Sequence, residues 1–331
     1  MFFSDTWRTF NHFSGVKKLL EKVKETFTRS PARRRRYIDH LRFHGINQPR
    51  KIPLPCKTRW NSWFEMVDYT KDHLVYWPEF FKAEIELDRT ETLKTIVDLL
   101  STYFGLITIY VNFISFFSRQ FVQTLNFFQQ EKPVFPFVEN QLQNLSAYLE
   151  NNMAATNFGS NLDSLIINYH FQNNDFYLIF QQAFNVAYEK FASHIPSHPG
   201  RPLFRACQIF NPKFIHLGDI TRKDIRQYNI ITELDNPSND LLDEWAIYCG
   251  STIDMNLTDA TLDEYWSNMA ERLPLLSQIA LDYIWLPVSS CSVERSFSKY
   301  NSILDDNRQN LSEDSLRSLN MLYFNNGNLN I

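Results

Sequence analysis

Arginine and tryptophan side chains near the start of the chain are the residues best suited to contact nucleic acid. They are Arg33, Arg34, Arg35, Arg36, Arg59 and Trp60. Four consecutive arginines on a helix point to all of its sides, so some must reach solvent or a phosphate. In the Arg-Trp pair, the guanidinium can hold a phosphate and the indole can stack on an unpaired base, a contact worth about 1–3 kcal/mol. Two alternatives stay open: a solvated arginine face, and a buried Trp beside an Arg that pairs with a local carboxylate.

Side chains that bind metal ions are present but are scattered along the sequence. His40 and His44 are four residues apart, but no acidic or cysteine neighbour lies at ligand spacing, so no metal site is expected there. The four cysteines are widely spaced and form no CxxC pair, which argues against a zinc ribbon or a redox motif. Acidic residues between 233 and 264 lie on predicted loops and helices that share no face. We therefore predict no metal ligands.

Helical periodicity dominates the pattern of apolar residues. The predicted helical segments are 6–28, 62–82, 91–131 (one or two long helices), 135–153 and 175–192. Ser30-Pro31 predicts the start of the helix that holds the arginine run, and Gly45 predicts its end. Only 8 glycines argue against a turn-rich all-β fold, and 44% hydrophobic residues in a chain of 331 allow a sizeable core. We therefore expect a mostly α fold.

The most apolar stretch, Leu99–Phe117, is just long enough to span a membrane. Ser, Thr and Asn recur inside it and no basic flank accompanies it, so we predict a central helix buried on all sides and no membrane partner. The alternative is a membrane or scaffold protein that exposes this stretch. The start of the chain has no charged region followed by an apolar core, so a nuclear or cytosolic location is expected.

Charge is unevenly distributed along the chain. The formal net charge is only -4, yet residues 1–60 contain 15 Lys and Arg against 4 Asp and Glu. This asymmetry indicates an anionic partner for one end of the molecule, or a basic surface that is only solvated.

Two helices are predicted near the end of the chain. Val293, Phe297 and Tyr300 recur at helical spacing after a serine-rich entry. Ser312 then predicts a cap for a second helix with acidic residues in its first turn. The apolar residues of that helix are Leu316, Leu319, Met321, Leu322, Tyr323 and Phe324. The set is wider than one core-facing stripe, so it predicts a surface that another molecule covers.

These motifs resemble a known family. The run Ser289–Ser298, followed by Asn301, Ile303, Arg308 and Leu311, resembles the C-terminal dimerisation segment of hAT-superfamily transposases. A second match lies upstream, where Thr58-Arg59-Trp60 resembles the family's Thr-Arg-Trp motif. By this resemblance the tryptophan lies near the DNA end at the active site, which favours nucleic-acid contact over the buried alternative.

The resemblance implies a fold and an arrangement of domains. In the family, a long all-helical insertion splits an RNase H-like catalytic domain. We therefore expect a basic helical segment and Pro-rich linker over 1–57, the helical insertion domain over 58–260, and a dimerisation region over 261–326. The dimerisation region would hold the C-terminal helices of an incomplete RNase H-like domain.

The resemblance also implies a chemistry. Glu294 matches the carboxylate that completes the family's Asp-Asp-Glu metal site, while the two aspartates belong to strands that precede the insertion. Several carboxylates must converge to hold two metal ions, so Glu294 is expected to be vestigial and the chain alone catalytically inactive.

The resemblance predicts a nuclear homodimer that contacts DNA through the arginine run, Arg59 and Trp60. No cofactor is expected, and Mg²⁺ would be needed only with a complete catalytic domain. The residues predicted to form the dimer are Val293, Phe297, Tyr300, Leu316, Leu319, Leu322 and Tyr323. The alternative is that the chain is a truncated part of an active Asp-Asp-Glu DNA transposase.

Overall fold

A computed structural model describes most of the chain. The described residues are 2–28, 30–56, 61–217, 224–251, 261–290 and 312–325. Within these ranges the regular structure is helical and contains no β-strand. The prediction of a mostly α fold is therefore confirmed, and its RNase H-like part stays a prediction.

The helices are numbered in chain order. Helices α1 to α6 are Phe2–Thr9, Ser14–Thr28, Pro31–Phe43, Ser62–His73, Trp77–Leu87 and Glu91–Thr102. Helices α7 to α12 are Phe104–Phe117, Arg119–Phe128, Val138–Met153, Ser160–Asn168, Asn173–His194 and Arg201–Cys207. Helices α13 to α17 are Pro212–Leu217, Asn239–Gly250, Leu262–Met269, Pro274–Ile284 and Glu313–Asn325.

The chain divides into two compact units. Unit 1 comprises Met1–Leu125 and Asn140–Arg201, and unit 2 comprises Asn126–Glu139 and Pro202–Ile331. The domain boundaries predicted after residues 57 and 260 each lie inside one of these units. They stay predictions about how the family's parts are joined.

Helix α3, which holds the arginine run, begins and ends where its local sequence requires. Ser30 caps the first turn by accepting a backbone hydrogen bond, and Pro31, which has no N–H to satisfy, opens the helix. At the other end Gly45 adopts φ +81°, a conformation that costs glycine little. The N–H of Ile46 then donates to the carbonyl of Leu41 at 3.0 Å, which closes a Schellman motif. Both predicted ends of this helix are confirmed.

Trp7 is the centre of an aromatic cluster in the core of unit 1. Its indole is fully buried and contacts the rings of Phe113, Phe121 and Phe184 at 4.9–5.4 Å between centroids. Its Nε1–H donates to the carbonyl of Ala183 at 2.9 Å, so the buried indole leaves no polar group unsatisfied. These contacts fix α1 against α11, at the opposite end of the unit's sequence.

The apolar stretch Leu99–Phe117 is not one helix. Tyr103, with φ -121° and ψ 19°, separates α6 from α7. A Cβ added at Gly105 would lie 2.6 Å from Cδ1 of Tyr169, so the absence of a side chain there permits a close approach of α7 to the end of α10. The prediction of a single helix was wrong, although most of α7 is buried as expected.

No single helix in the described ranges has both the length and the apolar composition to cross a membrane. Two neighbouring segments, Glu91–Thr102 and Phe104–Phe128, pass that test only as a pair bent by 90°.

Candidate functional site

The core of unit 2 holds the helices that precede the end of the chain. The Tyr248 hydroxyl on α14 donates to the carbonyl of Ile209 at 2.8 Å, and Nε1–H of Trp266 on α15 donates to the carbonyl of Phe210 at 2.9 Å. Both rings are fully buried, and burial raises the pKa of Tyr248 well above its ordinary value. Two helices are therefore anchored to the same short segment by buried hydrogen bonds.

Glu244 joins α14 to the N-terminus of α16. The first residue of α16, Pro274, has no N–H, and the next two amides need acceptors from outside the helix. The buried Glu244 carboxylate accepts from the N–H of Leu275 at 3.2 Å and of Leu276 at 2.7 Å. A negative charge is also favoured at a helix N-terminus, so this carboxylate stabilises α16 electrostatically.

The serine-rich entry after α16 is also anchored. The Ser289 hydroxyl donates to the carbonyl of Phe128 at 2.9 Å, within unit 2. The residues predicted to form the next helix, with the vestigial carboxylate and three of the seven predicted dimer contacts, lie outside the described residues. They are Val293, Glu294, Phe297 and Tyr300.

Helix α17 begins where Ser312 was predicted to cap it. The Ser312 hydroxyl oxygen accepts from the N–H of Ser315 at 3.3 Å, and Glu313 and Asp314 occupy the first turn. This feature is confirmed.

The apolar side chains of α17 differ in exposure. Met321 and Leu322 are 60% and 59% exposed, whereas Leu316 and Leu319 are half-buried. The side chain of Tyr323 lies outside the described part of the chain. Neighbouring exposed apolar side chains of this size form a surface that favours contact with another molecule.

The arginine run is placed on one helix, but most of its guanidinium groups contact the chain itself. Arg33 is buried: its Nε donates to Glu84 Oε2 at 2.7 Å and its Nη2 to Asp88 Oδ2 at 3.1 Å. Arg36 donates from Nε to Oε1 of Glu84 at 2.6 Å and from Nη2 to Oε2 at 2.7 Å. Glu84 and Asp88 therefore hold two of the four arginines in ion pairs within the chain.

The other two arginines differ in their surroundings. Arg34 donates to the carbonyls of Phe27 at 2.9 Å and Thr28 at 2.8 Å, so it caps the end of α2. Arg35 is exposed. Arg59 and Trp60 lie outside the described residues, so the structure does not place them beside the run. The sequence pattern did not reveal that arginines of this run donate to acceptors on another helix of the same chain.

Sequence spacing also missed one acidic neighbour of the histidine pair. Glu79, on α5, places its Oε2 3.1 Å from Nε2 of His44. The expectation that no acidic group is near these histidines considered only neighbours in sequence.

Together, unit 2 contains a set of helices fixed by buried tyrosine, tryptophan and glutamate contacts, followed by a helix with an exposed apolar surface. Residues 246–325 match the family model of the hAT family C-terminal dimerisation region. The match covers 80 of the 331 residues and supports a hAT-family transposase C-terminal part over that region. It begins within α14, earlier in the chain than the predicted dimerisation boundary at residue 261. A search among curated proteins found no match to the chain.

Proposed function

We propose that this chain is a transposase-derived assembly protein that forms a homodimer through its C-terminal region. The observation that carries the proposal is the dimerisation-family match over 246–325, which includes the exposed apolar residues of α17. Burying one leucine or methionine side chain contributes about 1.5–3 kcal/mol, so a symmetric contact that covers the α17 residues of both chains has a substantial driving force. Sedimentation equilibrium of the full chain should give the mass of a dimer at micromolar concentration. A strict monomer would overturn the proposal.

The second part of the proposal is that the chain alone does not cut DNA. Strand transfer with two metal ions requires several carboxylates around ions about 4 Å apart. Glu294 supplies one such group by resemblance, and in the family its two aspartate partners belong to strands that precede the helical insertion.

Incubation of supercoiled plasmid with the full chain should therefore leave it intact in Mg²⁺ or Mn²⁺. Denaturing gels would detect nicks in either strand. Metal-dependent nicking that Glu294→Gln abolishes would contradict the proposal and favour an active transposase.

Nucleic-acid binding is the third part of the proposal. The structure leaves fewer arginines of the run available for phosphate than the sequence implied. Arg33 and Arg36 form ion pairs with Glu84 and Asp88, so Arg35 is the member of the run best placed to meet a phosphate. The excess of basic residues over 1–60 supports an anionic partner for the same part of the chain and is compatible with nuclear import.

Arg35→Gln should weaken DNA binding to all sequences alike and lower the slope of log K against log salt by about 1. Fluorescence anisotropy with a labelled duplex, measured over a salt series, gives both quantities. Arg89→Gln is a matched control, because Arg89 is an exposed arginine of unit 1 that pairs with Glu86 on the surface. Equal effects of the two substitutions, or no binding at low salt, would contradict this assignment.

A further inference from the structure

Two helices of unit 1 bring together three side chains that can act as metal ligands. His40 lies in the last turn of α3, His44 caps its end, and Glu79 lies in the first turn of α5. One potential ligand atom from each of the three lies within 4.8 Å of the other two. The two imidazole rings are 4.5 Å apart between centroids. The set crosses from one helix to another, so spacing along the sequence does not show it.

One ring nitrogen of this cluster has hydrogen-bonding capacity that no described residue satisfies. Nε2 of His44 is shielded from solvent and has no hydrogen-bond partner among the described residues. Oε2 of Glu79 lies 3.1 Å from it but not in the direction of a hydrogen bond. A shielded ring nitrogen without a partner is costly unless something else satisfies it, and a cation between the nitrogen and the carboxylate would do so.

A backbone contact orients the second histidine. Nε2 of His40 lies 3.0 Å from the carbonyl of Tyr76. When this nitrogen donates its proton to the carbonyl, Nδ1 retains a lone pair. Histidine ligands commonly donate their second ring nitrogen to a carbonyl in this way, which fixes the tautomer and the ring orientation.

We propose that His40, His44 and Glu79 form a binding site for a divalent transition metal ion, and that Zn²⁺ is its preferred occupant. Two imidazoles and one carboxylate suit zinc, whereas Mg²⁺ and Ca²⁺ require oxygen ligands. Tetrahedral ligands about 2.1 Å from zinc are about 3.4 Å apart. Nε2 of His44 and Oε2 of Glu79 are 3.1 Å apart, which is already close to that value. The three ligand atoms all lie within 4.8 Å of one another, and rotation of the side chains would shorten the longer distances. Glu79 is 63% exposed, so water can complete the coordination.

The position of the site indicates what the ion would do. At the other end of the same two helices, Arg33 and Arg36 bind Glu84. A metal ion at His44 and Glu79 would provide a second cross-link between α3 and α5, close to the Pro-rich segment that follows α3. Metal binding to the folded state alone would raise the stability of unit 1 by mass action. The site is separate from the proposed dimer surface, so either proposal can fail without the other.

The test is a calorimetric titration of Zn²⁺ into the full chain after removal of bound metals with a chelator. We expect one tight site per chain and a rise in Tm with zinc. Glu79→Gln should weaken zinc affinity about tenfold or more, because it removes a ligand and its charge at an exposed position. Co²⁺ should give the strong visible absorption of tetrahedral cobalt, which Glu79→Gln reduces and Zn²⁺ displaces.

The chain offers a matched control for adventitious binding. His194 and His198 are also four residues apart, but in the described part of the chain they belong to no group of three potential ligands. A variant with both changed to alanine should bind zinc as the wild type does. Unchanged affinity in Glu79→Gln, loss of binding in the His194 and His198 variant, or a cobalt spectrum like that of the free aqueous ion would each overturn the proposal.

Discussion

Replacement of Glu84 by glutamine should lower the free energy of unfolding by about 3–5 kcal/mol. The Glu84 carboxylate is 2% exposed and accepts hydrogen bonds from both Arg33 and Arg36. An amide has the same shape but no charge, and its NH₂ group would face guanidinium donors. The buried Arg33 would keep its hydrogen bond to the carbonyl of Thr26, but its only remaining ion-pair partner among the described residues would be the half-exposed Asp88. Removing one member of a buried ion pair is costly because the remaining charge is left without compensation.

Urea denaturation followed by far-UV circular dichroism measures this effect. Glu86→Gln is the matched control on the same helix, because Glu86 pairs with Arg89 on the surface, where both side chains are about 70% exposed. Its expected effect is about 0.5 kcal/mol or less. Similar decreases in the free energy of unfolding for Glu84→Gln and Glu86→Gln would show that the buried ion pair contributes no more to stability than the surface pair.

The Glu84 carboxylate should also make the free energy of unfolding depend on pH. Burial raises the pKa of Glu84, but the hydrogen bonds from Arg36 and Arg33 outweigh it and hold the pKa below its ordinary value of 4.5. A group whose pKa is lower in the folded state contributes its full stability above the unfolded-state pKa. That contribution is lost as the pH falls below about 4.5 and through the folded-state pKa. The wild type should therefore lose more stability on acidification than Glu84→Gln, and parallel curves would contradict this.

The parts of the fold that the sequence predicted well depend on local chemistry. Ser30, Pro31 and Gly45 specify the ends of α3, and Ser312 specifies the start of α17, because a helix cap involves neighbours in sequence. The break at Tyr103 was missed because Leu99–Phe117 contains no proline, the strongest local stop signal for a helix. Helix α10 was missed because its nine residues lie in an Asn-rich stretch between the predicted segments 135–153 and 175–192.

The candidate sites were also predictable only where the interacting residues are neighbours in sequence. The dimerisation region could be recognised because its residue types have fixed spacing along the chain. The arginine run was correctly placed on a helix, but its acceptor Glu84 lies on another helix, as does the neighbour of the histidine pair, Glu79. Spacing of three or four residues reveals only partners on the same helix, so contacts between helices require the tertiary structure.

Leu319→Asp should convert the dimer to a monomer, raising its dissociation constant about 100-fold or more, equivalent to about 2.7 kcal/mol. Leu319 is half-buried on α17 within one chain, on the side that also presents Leu316. A carboxylate placed in an apolar contact must lose its water without gaining a partner, and that cost exceeds the loss of the leucine contact alone. Sedimentation velocity over a concentration series gives the dissociation constant, and circular dichroism establishes that the variant is folded.

A second substitution separates assembly from folding. Leu322 is already 59% exposed in the single chain, so Leu322→Asp should leave the monomer intact while removing apolar surface from the dimer contact. Arg317→Asp is the control, because Arg317 is exposed on the side of α17 that holds Met321, away from both Leu319 and Leu322, and its change in charge is larger. Dimers should persist in Arg317→Asp and dissociate in both leucine variants. A dimer unchanged by either leucine substitution would place the interface elsewhere in the matched region, since the exposed apolar side of α17 would then be unused.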